Sequence, residues 1–410
     1  MNILFMHRHL PAQFKHLLQL FADQRTNNVF GICLEGAPAL MDSDYTGVKF
    51  FTYKTRRSTT PNLHHYVLDL EKSVLNAQAV AEVLYALKAS GLHLDLAFAH
   101  LGWGESLYFK EIFPSVPLIG YSEYYYHSQG ADVGFDPQYP VSLDHRMKVR
   151  TLNAQVLLNF VSSDVCVTPT CWQKQLFPPE IHNKIHVIHE GVDTDLIRPN
   201  KQASLLLPNG RVLSKEDEVI TYCARNLEPY RGFPIFMRAV AEICRRRPNC
   251  HVVITGSDGV SYGLPLANGL SYREQALREL DIDTNRVHFM GQVAYPLHLL
   301  ILQVSTVHVY LTYPFVLSWS FMEAMASGCV IIGSRTGPVM EMLKDERNGL
   351  LVDFFDHQQI VTQIERVLDH PERMQHLAEN ARETILHAYT LRNSLAQYQY
   401  LYNSLLTSSN

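Results

Sequence analysis

Short apolar runs alternate with amphipathic stretches of helical period from one end of the chain to the other. This alternation is typical of parallel sheets covered by helices on both faces, because the strands are buried and the crossovers are helical. We therefore predict an α/β fold. The predicted strands are residues 2–7, 29–34, 48–53, 94–100, 117–123, 165–169, 185–189, 219–224, 251–255, 287–290, 307–310, 330–333 and 350–354.

The spacing of apolar residues also predicts individual helices. Phe14, Leu17, Leu18 and Phe21 fall at i, i+3, i+4 and i+7, so a helix there packs one face on the sheet. Residues 70–87 have a similar period, and residues 396–406 form a last amphipathic helix. Between them, one further helix is predicted to bury a single face, made of Met374, Leu377, Ala378, Ala381 and Ile385.

At 410 residues the chain is too long for one compact core, so we expect two domains. The strand pattern restarts after residues 197–218, where turn formers and charged residues replace the apolar period, and we place a linker there. The predicted units are an N-terminal domain at 1–197, a C-terminal domain at 198–388 and a tail at 389–410. Two open α/β sheets side by side imply a cleft, with the function at the strand ends that face it.

The net charge argues against a polyanion-binding protein. The 35 Lys and Arg against 40 Asp and Glu give −5, which lacks the basic surface that nucleic-acid binding needs. No run of about 18 apolar residues occurs, and residues 1–7 are too short for a signal peptide, so we expect a cytoplasmic protein. A peripheral contact with the inner face of the membrane stays open. The basic residues that face either water or anionic lipid are Lys54, Arg56, Arg57, Arg146, Lys148 and Arg150.

No metal and no cofactor is expected. The seven cysteines include no C-x-x-C pair, so we expect buried thiols. The histidines include no H-E-x-x-H pattern, and no G-x-G-x-x-G or Walker sequence suggests a dinucleotide or ATP. D-x-D strings at 42–44, 193–195 and 281–283 occur too easily by chance to indicate a metal, and Asp193 is expected to cap the next helix.

The segment at 313–328 carries the most informative candidate site. It follows a predicted strand and opens a helix, so its backbone N–H groups and the positive helix end suit an anion such as a phosphate. Glu323, in the first turns of that helix, offers a carboxylate that can accept two hydroxyl hydrogen bonds. The alternative is a glutamate that only stabilises its own helix dipole.

A second candidate segment lies at 223–232, again where a predicted strand ends. Arg225 and Arg231 stand on either side of a proline-containing turn. Two guanidinium groups beside a helix N-terminus would neutralise a diphosphate leaving group in an enzyme that lacks a metal. The alternative is a pair of ordinary surface arginines.

An ordered set of motifs in the second half resembles the signature of glycosyltransferase family 4. The first half is a weaker match, limited to the opening strand, a histidine at a strand end and the Gly-Val-Asp crossover. The motifs are Glu190-Gly-Val-Asp193, Ala224-Arg-Asn-Leu with Arg231-Gly232, Ile254-Thr-Gly-Ser257, Val287-His-Phe-Met-Gly291, Glu323-Ala-Met-Ala-Ser-Gly328, Gly337-Pro338, Glu341 and Asn348-Gly-Leu-Leu351.

This resemblance implies a GT-B fold, with two Rossmann-like domains whose parallel sheets face each other across a cleft. It also implies a retaining, metal-independent transfer from a nucleotide-sugar, which is a substrate and not a cofactor. The donor would be a UDP-, GDP- or other nucleotide-sugar held mainly by the second domain, and the acceptor a carbohydrate, a lipid-linked sugar or a protein. The tail after residue 388 would cross back to the first domain.

The resemblance assigns roles to single residues. Arg225 and Arg231 match the family's Arg and Lys that bind the donor diphosphate, and Glu323 matches the glutamate that holds the ribose hydroxyls. His100 matches a first-domain histidine near the transferred sugar, with a structural hydrogen bond at a strand end as the alternative. These four are the expected catalytic residues, and Gly256 is expected at the donor.

The chain departs from the family pattern at two places. Phe315 stands eight residues before Glu323, where the family has its first glutamate, so the carboxylate to the donor sugar is missing. Ala12 and Gln13 stand where the family often has Gly-Gly and would have to allow the phosphates to approach. The backbone N–H groups that could still bind the donor are those of Leu317, Ser318 and Trp319.

The acceptor is expected in the first domain. Residues 121–127 are too polar and aromatic for a core strand alone, and aromatic faces near carboxylates suit sugar rings. Gly102 and Gly104 indicate a backbone left bare to a ligand. The alternative for the tyrosines is a packed cluster. The expected acceptor contacts are Gly102, Trp103, Tyr124 and Tyr125.

Three functions therefore stay open. The first is the transferase. The second is a nucleotide-sugar epimerase or hydrolase of the same architecture, which would consume the donor without an acceptor. The third is a catalytically degenerate binding or scaffold protein, which the loss of a glutamate at Phe315 favours.

Overall fold

The computed structural model describes residues 1–37 and 45–408. The strands are β1 (Asn2–Met6), β2 (Asn28–Leu34), β3 (Val48–Tyr53), β4 (Leu96–His100), β5 (Leu118–Tyr121), β6 (Val165–Thr168), β7 (Ile185–Val187), β8 (Ser204–Leu206), β9 (Val212–Ser214), β10 (Val219–Asn226), β11 (His251–Ser257), β12 (Val287–Gly291), β13 (Val307–Tyr310), β14 (Val330–Ser334) and β15 (Leu350–Val352). The helices are α1 (Lys15–Asp23), α2 (Leu68–Ala89), α3 (Phe109–Ile112), α4 (Leu143–Ser162), α5 (Cys171–Leu176), α6 (Phe233–Arg246), α7 (Tyr272–Glu279), α8 (Tyr295–Val304), α9 (Trp319–Ala326), α10 (Gly337–Met342), α11 (His357–Asp369), α12 (Pro371–Ala388) and α13 (Leu391–Ser408).

The chain divides into two compact units. Unit 1 is Met1–Gly191 together with Leu391–Asn410, and unit 2 is Val192–Thr390. Unit 1 contains a parallel sheet of order β3-β2-β1-β4-β5-β6-β7, and unit 2 a parallel sheet of order β12-β11-β10-β13-β14-β15. In both sheets, the strand order reverses beside the strand that comes first in the chain, β1 in unit 1 and β10 in unit 2, which is the doubly wound arrangement of Rossmann-like domains. The predicted α/β class is confirmed.

The sheet of unit 1 is buried on both faces. In β1, Leu4 and Met6 belong to one hydrophobic core, while Ile3 and Phe5 belong to the other. Successive side chains of a strand point to opposite faces, so a strand between two helical layers must be apolar at every position. This is why the strands read as continuous apolar runs.

The last helix of the chain belongs to unit 1. In α13, Tyr398, Leu401 and Tyr402 join the core that also contains α1. The rings of Phe21 and Tyr402 have centroids 5.2 Å apart. The chain thus leaves unit 1 after Gly191 and re-enters it at Leu391.

The structure confirms the predicted strands, but it contradicts the predicted linker. Each predicted strand is present with its ends within about two residues. Where residues 197–218 were expected to be a linker, β8 and β9 form an antiparallel hairpin that pairs Leu205 with Leu213. Both leucines are buried in the core of unit 2. Strands of three residues with one buried position are too short to show an alternation of apolar and polar residues, so the sequence does not predict this hairpin.

The cysteines are buried with one exception. Six of the seven thiols are buried, whereas Cys171 is exposed. Cys171 is the first residue of α5, whose N-cap Thr170 accepts a hydrogen bond from the Gln173 N–H. The expectation of buried thiols is therefore wrong at this position, because a first-turn residue of a short surface helix faces water.

Adjacent leucines of the hairpin provide a test of its place in the core. Leu205 is 0% exposed and Leu206 is 65% exposed. Leu205→Ala should lower the free energy of unfolding by about 2–5 kcal/mol, because it leaves a cavity, and Leu206→Ala by less than about 0.5 kcal/mol. Urea unfolding of both variants measures the difference, and equal small effects would contradict a packed hairpin.

Candidate functional site

A turn after β10 places Arg231 at the carboxyl edge of the sheet of unit 2. The 3₁₀ turn Pro229–Arg231 ends at Gly232, which has a φ of 69°. A Cβ at Gly232 would lie 2.5 Å from the Leu311 Cβ, so only glycine lets this turn pack against the end of β13. The sequence folds this way because Pro229 fixes φ at the start of the turn.

The Arg231 side chain is buried and its hydrogen-bond acceptors are neutral. Its Nη1 donates to Tyr310 Oη at 3.2 Å, to Thr312 Oγ1 at 2.8 Å and to the Val316 carbonyl at 2.9 Å. Burial lowers the pKa of the guanidinium, but the surrounding tyrosine hydroxyls and Glu228 outweigh burial and raise it. The group is a fixed positive charge, not the surface arginine that the sequence left open.

Glu228 was not identified from the sequence, and it organises the loop beside Arg231. Its carboxylate accepts hydrogen bonds from the backbone N–H groups of Ser261 at 3.0 Å, Tyr262 at 3.1 Å and Gly263 at 2.8 Å. The Tyr262 ring then lies 5.6 Å from the Arg231 guanidinium carbon. A buried carboxylate that binds backbone N–H groups shapes a loop after β11.

Arg225 and Gly256 lie together at the ends of β10 and β11. Arg225 is exposed. Gly256 has a φ of 146°, and a Cβ there would lie 2.7 Å from the Ala224 carbonyl oxygen. The glycine therefore lets β11 approach the segment that carries Arg225. Its expected contact with the donor stays a prediction.

The carboxylate of Glu323 is held by two side chains of α8. Glu323 lies in α9, where Oε1 accepts from Tyr295 Oη at 2.8 Å and Oε2 lies 2.9 Å from His298 Nε2. The Glu323 and His298 side chains are each 13% exposed. The carboxylate is thus held by an ion pair and a hydroxyl group, and it does not merely stabilise its own helix.

Burial alone would lower the pKa of His298, but its interactions with Cys223 and Glu323 raise it to about 10. The imidazole is therefore protonated at neutral pH. Tyr295 and His298 were not identified from the sequence. Their spacing of i, i+3 at the start of α8 is the signal that could have found them.

The loop before α9 differs from its prediction at Ser318. The Ser318 N–H donates to Tyr310 Oη at 2.8 Å, so it is not available to a donor. The donor contacts of the Leu317 and Trp319 N–H groups stay predictions. Phe315 packs between Tyr230 and Tyr262, with ring centroids 5.7 and 4.9 Å away, so an aromatic cluster fills the place of the missing glutamate.

His100 lies at the carboxyl edge of the sheet of unit 1. Its Nδ1 accepts from the Gly102 N–H at 3.0 Å, so Nε2 carries the ring proton. Nε2 is buried without a hydrogen bond inside the described chain, and it lies 3.5 Å from Glu123 Oε2. The indole of Trp103 stacks on the imidazole with centroids 4.1 Å apart. The structural hydrogen bond that was the alternative is present, and it orients the ring.

His7 and Glu123 complete this cluster and were not identified from the sequence. Gln13 links them: its Oε1 lies 2.9 Å from His7 Nε2, and its Nε2 donates to Glu123 Oε1 at 2.9 Å. Burial and the neighbouring His100 hold the pKa of His7 well below its usual range. Their strand positions could have identified His7 as a neighbour of His100. His7 follows β1 and His100 ends β4, and these two strands pair in parallel.

Ala12 adopts a φ of 38°, in the left-handed region that favours glycine. This is the position where the family often has Gly-Gly. The adjacent Gln13 side chain is engaged with His7 and Glu123. The donor contacts of Ala12 and Gln13 stay predictions.

Two glycines in the loop after β4 serve internal packing. A Cβ at Gly102 would lie 2.8 Å from the His100 ring, and one at Gly104 would lie 2.3 Å from the Ser73 carbonyl oxygen. The interpretation of Gly104 as a backbone bare to a ligand is therefore corrected, because its φ of 99° and the contact with α2 account for it. Side chains of α2 and α4 also hold this loop, since Asn76 donates to the Trp103 carbonyl and Gln155 to the Gly102 carbonyl.

The tyrosines expected to bind the acceptor are buried. Tyr124 donates to Asp132 Oδ1 at 2.8 Å, and Tyr125 packs on Phe177 with centroids 5.6 Å apart. Neither ring leaves a face open for a sugar, so the structure favours the packed cluster. Trp103 is half-buried and keeps its place beside His100.

The described residues of two D-x-D strings make internal contacts. Asp42-Ser-Asp44 lies outside the described residues, and Asp193 accepts from the N–H groups of Asp195 and Leu196 as a cap does. The D-x-D residue Asp283 binds the Arg286 guanidinium. No set of three or more His, Cys, Asp or Glu in the described residues could hold a metal ion. Exposed ion pairs engage three of the basic residues: Lys54 with Glu35, Arg56 with Glu82 and Arg57 with Glu71.

Among residues 1–37 and 45–408, no helix is long and apolar enough to cross a membrane.

The raised pKa of His298 predicts a pH-dependent stability. A histidine with a raised folded-state pKa stabilises the fold fully below its unfolded value of about 6.5, and it loses that effect as the pH rises through about 10. His298→Gln should therefore lower the free energy of unfolding by on the order of 2 kcal/mol near pH 6, and by much less near pH 10. Urea titrations of both proteins across this range measure it. A difference that is constant with pH would contradict the ion pair with Glu323.

Comparison with known proteins identifies the family of the chain. Residues 25–197 match the family described as "Glycosyl transferase family 4 group", and residues 209–384 match "Glycosyl transferases group 1". A D-inositol 3-phosphate glycosyltransferase of Nocardioides sp. is 25% identical over 213 residues, which are 49% of this chain and 44% of that protein. The enzyme of the same name from Corynebacterium glutamicum is 26% identical over 56% of this chain and 53% of its own length. The chain thus spans about half the length of the curated relatives it matches.

Solved structures share the fold along the whole chain. Anabaena Alr3699/HepE in complex with UDP-glucose has a TM-score of 0.68 at 17% identity, covering 98% of this chain and 100% of that chain. Sucrose-phosphate synthase from Thermosynechococcus elongatus has a TM-score of 0.71 at 17% identity, covering 99% of both chains. The two family matches leave little of the sequence uncovered, and the protein belongs to the group 1 (family 4) glycosyltransferases, with the GT-B fold.

Proposed function

We propose that the protein is a retaining glycosyltransferase that moves a sugar from a nucleotide-sugar donor to a carbohydrate, lipid-linked or protein acceptor without a metal ion. One observation carries the proposal. The carboxyl edge of the sheet of unit 2 joins a buried guanidinium, Arg231, to the loop that opens the helix of Glu323, through the hydrogen bond to the Val316 carbonyl. A fixed cation and a fixed carboxylate at one edge of the sheet suit a nucleoside diphosphate.

The cation matches the charge that develops when the donor breaks. Cleavage of the sugar–phosphate bond leaves negative charge on the diphosphate, and groups fixed beforehand stabilise it most. The hydrogen bonds that hold Arg231 all go to neutral acceptors, and the nearby tyrosine hydroxyls and Glu228 raise the pKa of its guanidinium. Arg225, exposed at the end of β10, adds a second guanidinium to the same edge.

In unit 1, His100 is the residue that the family resemblance proposes near the transferred sugar. Gly102 and Trp103 hold its ring in place, and its Nε2–H group makes no hydrogen bond within the described residues, although Glu123 Oε2 lies 3.5 Å away. This group can donate to a hydroxyl of the transferred sugar. No side chain is assigned as a nucleophile. The departing phosphate oxygen would take the proton of the acceptor hydroxyl while the acceptor oxygen bonds to the anomeric carbon on the same face.

A uridine diphosphate sugar is the first donor to test. The structure of Alr3699/HepE was determined with UDP-glucose, although a likeness at 17% identity shows only the fold. Guanosine and adenosine diphosphates are the other candidates, because none of the contacts described above recognises a base.

A second candidate function is a degenerate protein that binds nucleotide-sugars without turnover. The observation that favours it is Phe315, which fills the glutamate position with an aromatic ring packed on Tyr230 and Tyr262. Binding of a nucleotide-sugar without turnover across a broad acceptor set would support this candidate over the transferase. Consumption of the donor without any acceptor would indicate a hydrolase or epimerase.

Arginine variants test the proposed diphosphate site. Arg225→Ala and Arg231→Lys should each lower kcat about 100-fold, which corresponds to on the order of 3 kcal/mol of transition-state stabilisation. Arg231→Lys keeps the positive charge inside the buried site but removes the fork of donors, so the fold is expected to remain. The measurement is release of the nucleoside diphosphate from UDP-, GDP- and ADP-sugars over an acceptor panel, with and without EDTA.

Arg238→Ala is the matched control, because Arg238 is an exposed arginine of α6, outside the proposed site. It should turn over like the unmodified protein. EDTA should leave every rate unchanged. Full activity in Arg225→Ala and Arg231→Lys would contradict the assignment of the diphosphate site.

A further inference from the structure

We propose that Tyr295 and His298 are positioning residues that fix the Glu323 carboxylate for a ribose diol, and so make the site selective for ribonucleotides. The inference rests on the proposed function, since it concerns the donor of the same site. It assigns the recognition of the nucleotide to a three-residue cluster and not to Glu323 alone.

The cluster is built on facing helices. Tyr295 and His298 are one turn apart at the start of α8, so their side chains lie on the same side of that helix. Each donates to a different oxygen of Glu323 in α9, at 2.8 Å from Tyr295 and 2.9 Å from His298. Two donors on two oxygens fix both the position and the rotation of the carboxylate plane.

The remaining acceptor capacity of Glu323 fits a diol. An ionised carboxylate offers about four lone-pair sites, of which Tyr295 and His298 occupy two. The two hydroxyl groups of a ribose supply two donors on neighbouring carbons. A carboxylate whose plane is already fixed pays less conformational entropy when it binds them.

The location of the cluster also points to a ligand. α8 follows β12 and α9 follows β13, so the cluster lies beyond the carboxyl ends of these strands, where open α/β sheets bind ligands. The Tyr295 residue is 40% exposed, whereas its hydroxyl binds the carboxylate. The cluster is therefore open to solvent on the tyrosine side.

Packing alone does not require such a group. A nearly buried ion pair is often no more stabilising than apolar side chains of the same volume. α8 and α9 both contribute apolar residues to the core of unit 2, among them Leu299, Leu302 and Met322. The hydrogen bonds from Tyr295 and His298 therefore add a polar link between Glu323 and α8 that the apolar packing does not require.

The test compares each nucleoside diphosphate with its 2′-deoxy form. Calorimetric titrations would use UDP, GDP and ADP and their 2′-deoxy counterparts. We expect the unmodified protein to bind the preferred ribonucleotide about tenfold more tightly than its deoxy form. His298→Ala and Tyr295→Phe should reduce this ratio toward one, and Glu323→Ala should abolish it.

The ratio of the affinity for the ribonucleotide to the affinity for its 2′-deoxy form separates a positioning role of these residues from a structural one. His251→Ala is the matched control, because it removes another buried histidine of the same sheet at the opposite, amino end of β11. It should lower the melting temperature without changing the ratio. If His298→Ala does not fold, Tyr295→Phe tests the inference instead. This variant is expected to fold, because it removes only one oxygen atom from a partly exposed residue.

The outcomes distinguish this inference from the proposed function. Binding of no nucleoside diphosphate by the unmodified protein would overturn the proposed function, and this inference with it. Tight binding without discrimination, or a ratio that is unchanged in folded His298→Ala and in Tyr295→Phe, would overturn this inference alone.

Discussion

A buried guanidinium has to find hydrogen-bond acceptors, and in unit 2 this requirement joins the parts of the candidate site. Arg231 follows β10, and its acceptors lie on β13 and in the loop after it, at Tyr310, Thr312 and Val316. The Tyr310 hydroxyl in turn accepts the Ser318 N–H that begins α9. The position of Glu323 in α9 therefore depends on the arginine. Loss of the guanidinium would leave the end of β13 with unsatisfied polar groups.

At the carboxyl edge of the sheet of unit 1, hydrogen bonds and ring stacking also hold the polar side chains in place. The Gly102 N–H fixes the tautomer of His100, and Trp103 covers one face of the ring. Gln13 connects His7 to Glu123, whose carboxylate lies near His100. In both units, parallel strands bring polar residues that are distant in sequence to one edge. Function at these edges requires side chains that are already held by their neighbours.

The sequence predicts the sheets well because buried parallel strands are continuous apolar runs. It fails at β8 and β9, where each strand has a single buried leucine and no period can be read. Motif positions identify Arg231, Glu323 and His100 as candidates, and their roles stay predictions. Tyr295, His298 and Glu228 are missed, because their roles come from contacts between elements. Gly104 and the Ser318 N–H are misassigned for the same reason, since each is engaged by a part of the fold that the local sequence does not reveal.

The central claim is that a nucleoside diphosphate binds at the carboxyl edge of the sheet of unit 2. Hydrogen exchange measured with and without saturating UDP tests it most directly, because backbone protection reports the bound segments without prior assignment. We expect UDP to protect residues 223–232, 291–298 and 313–323 and to leave the amino ends of the strands unchanged. Protection confined to other segments, or none at all, would contradict it.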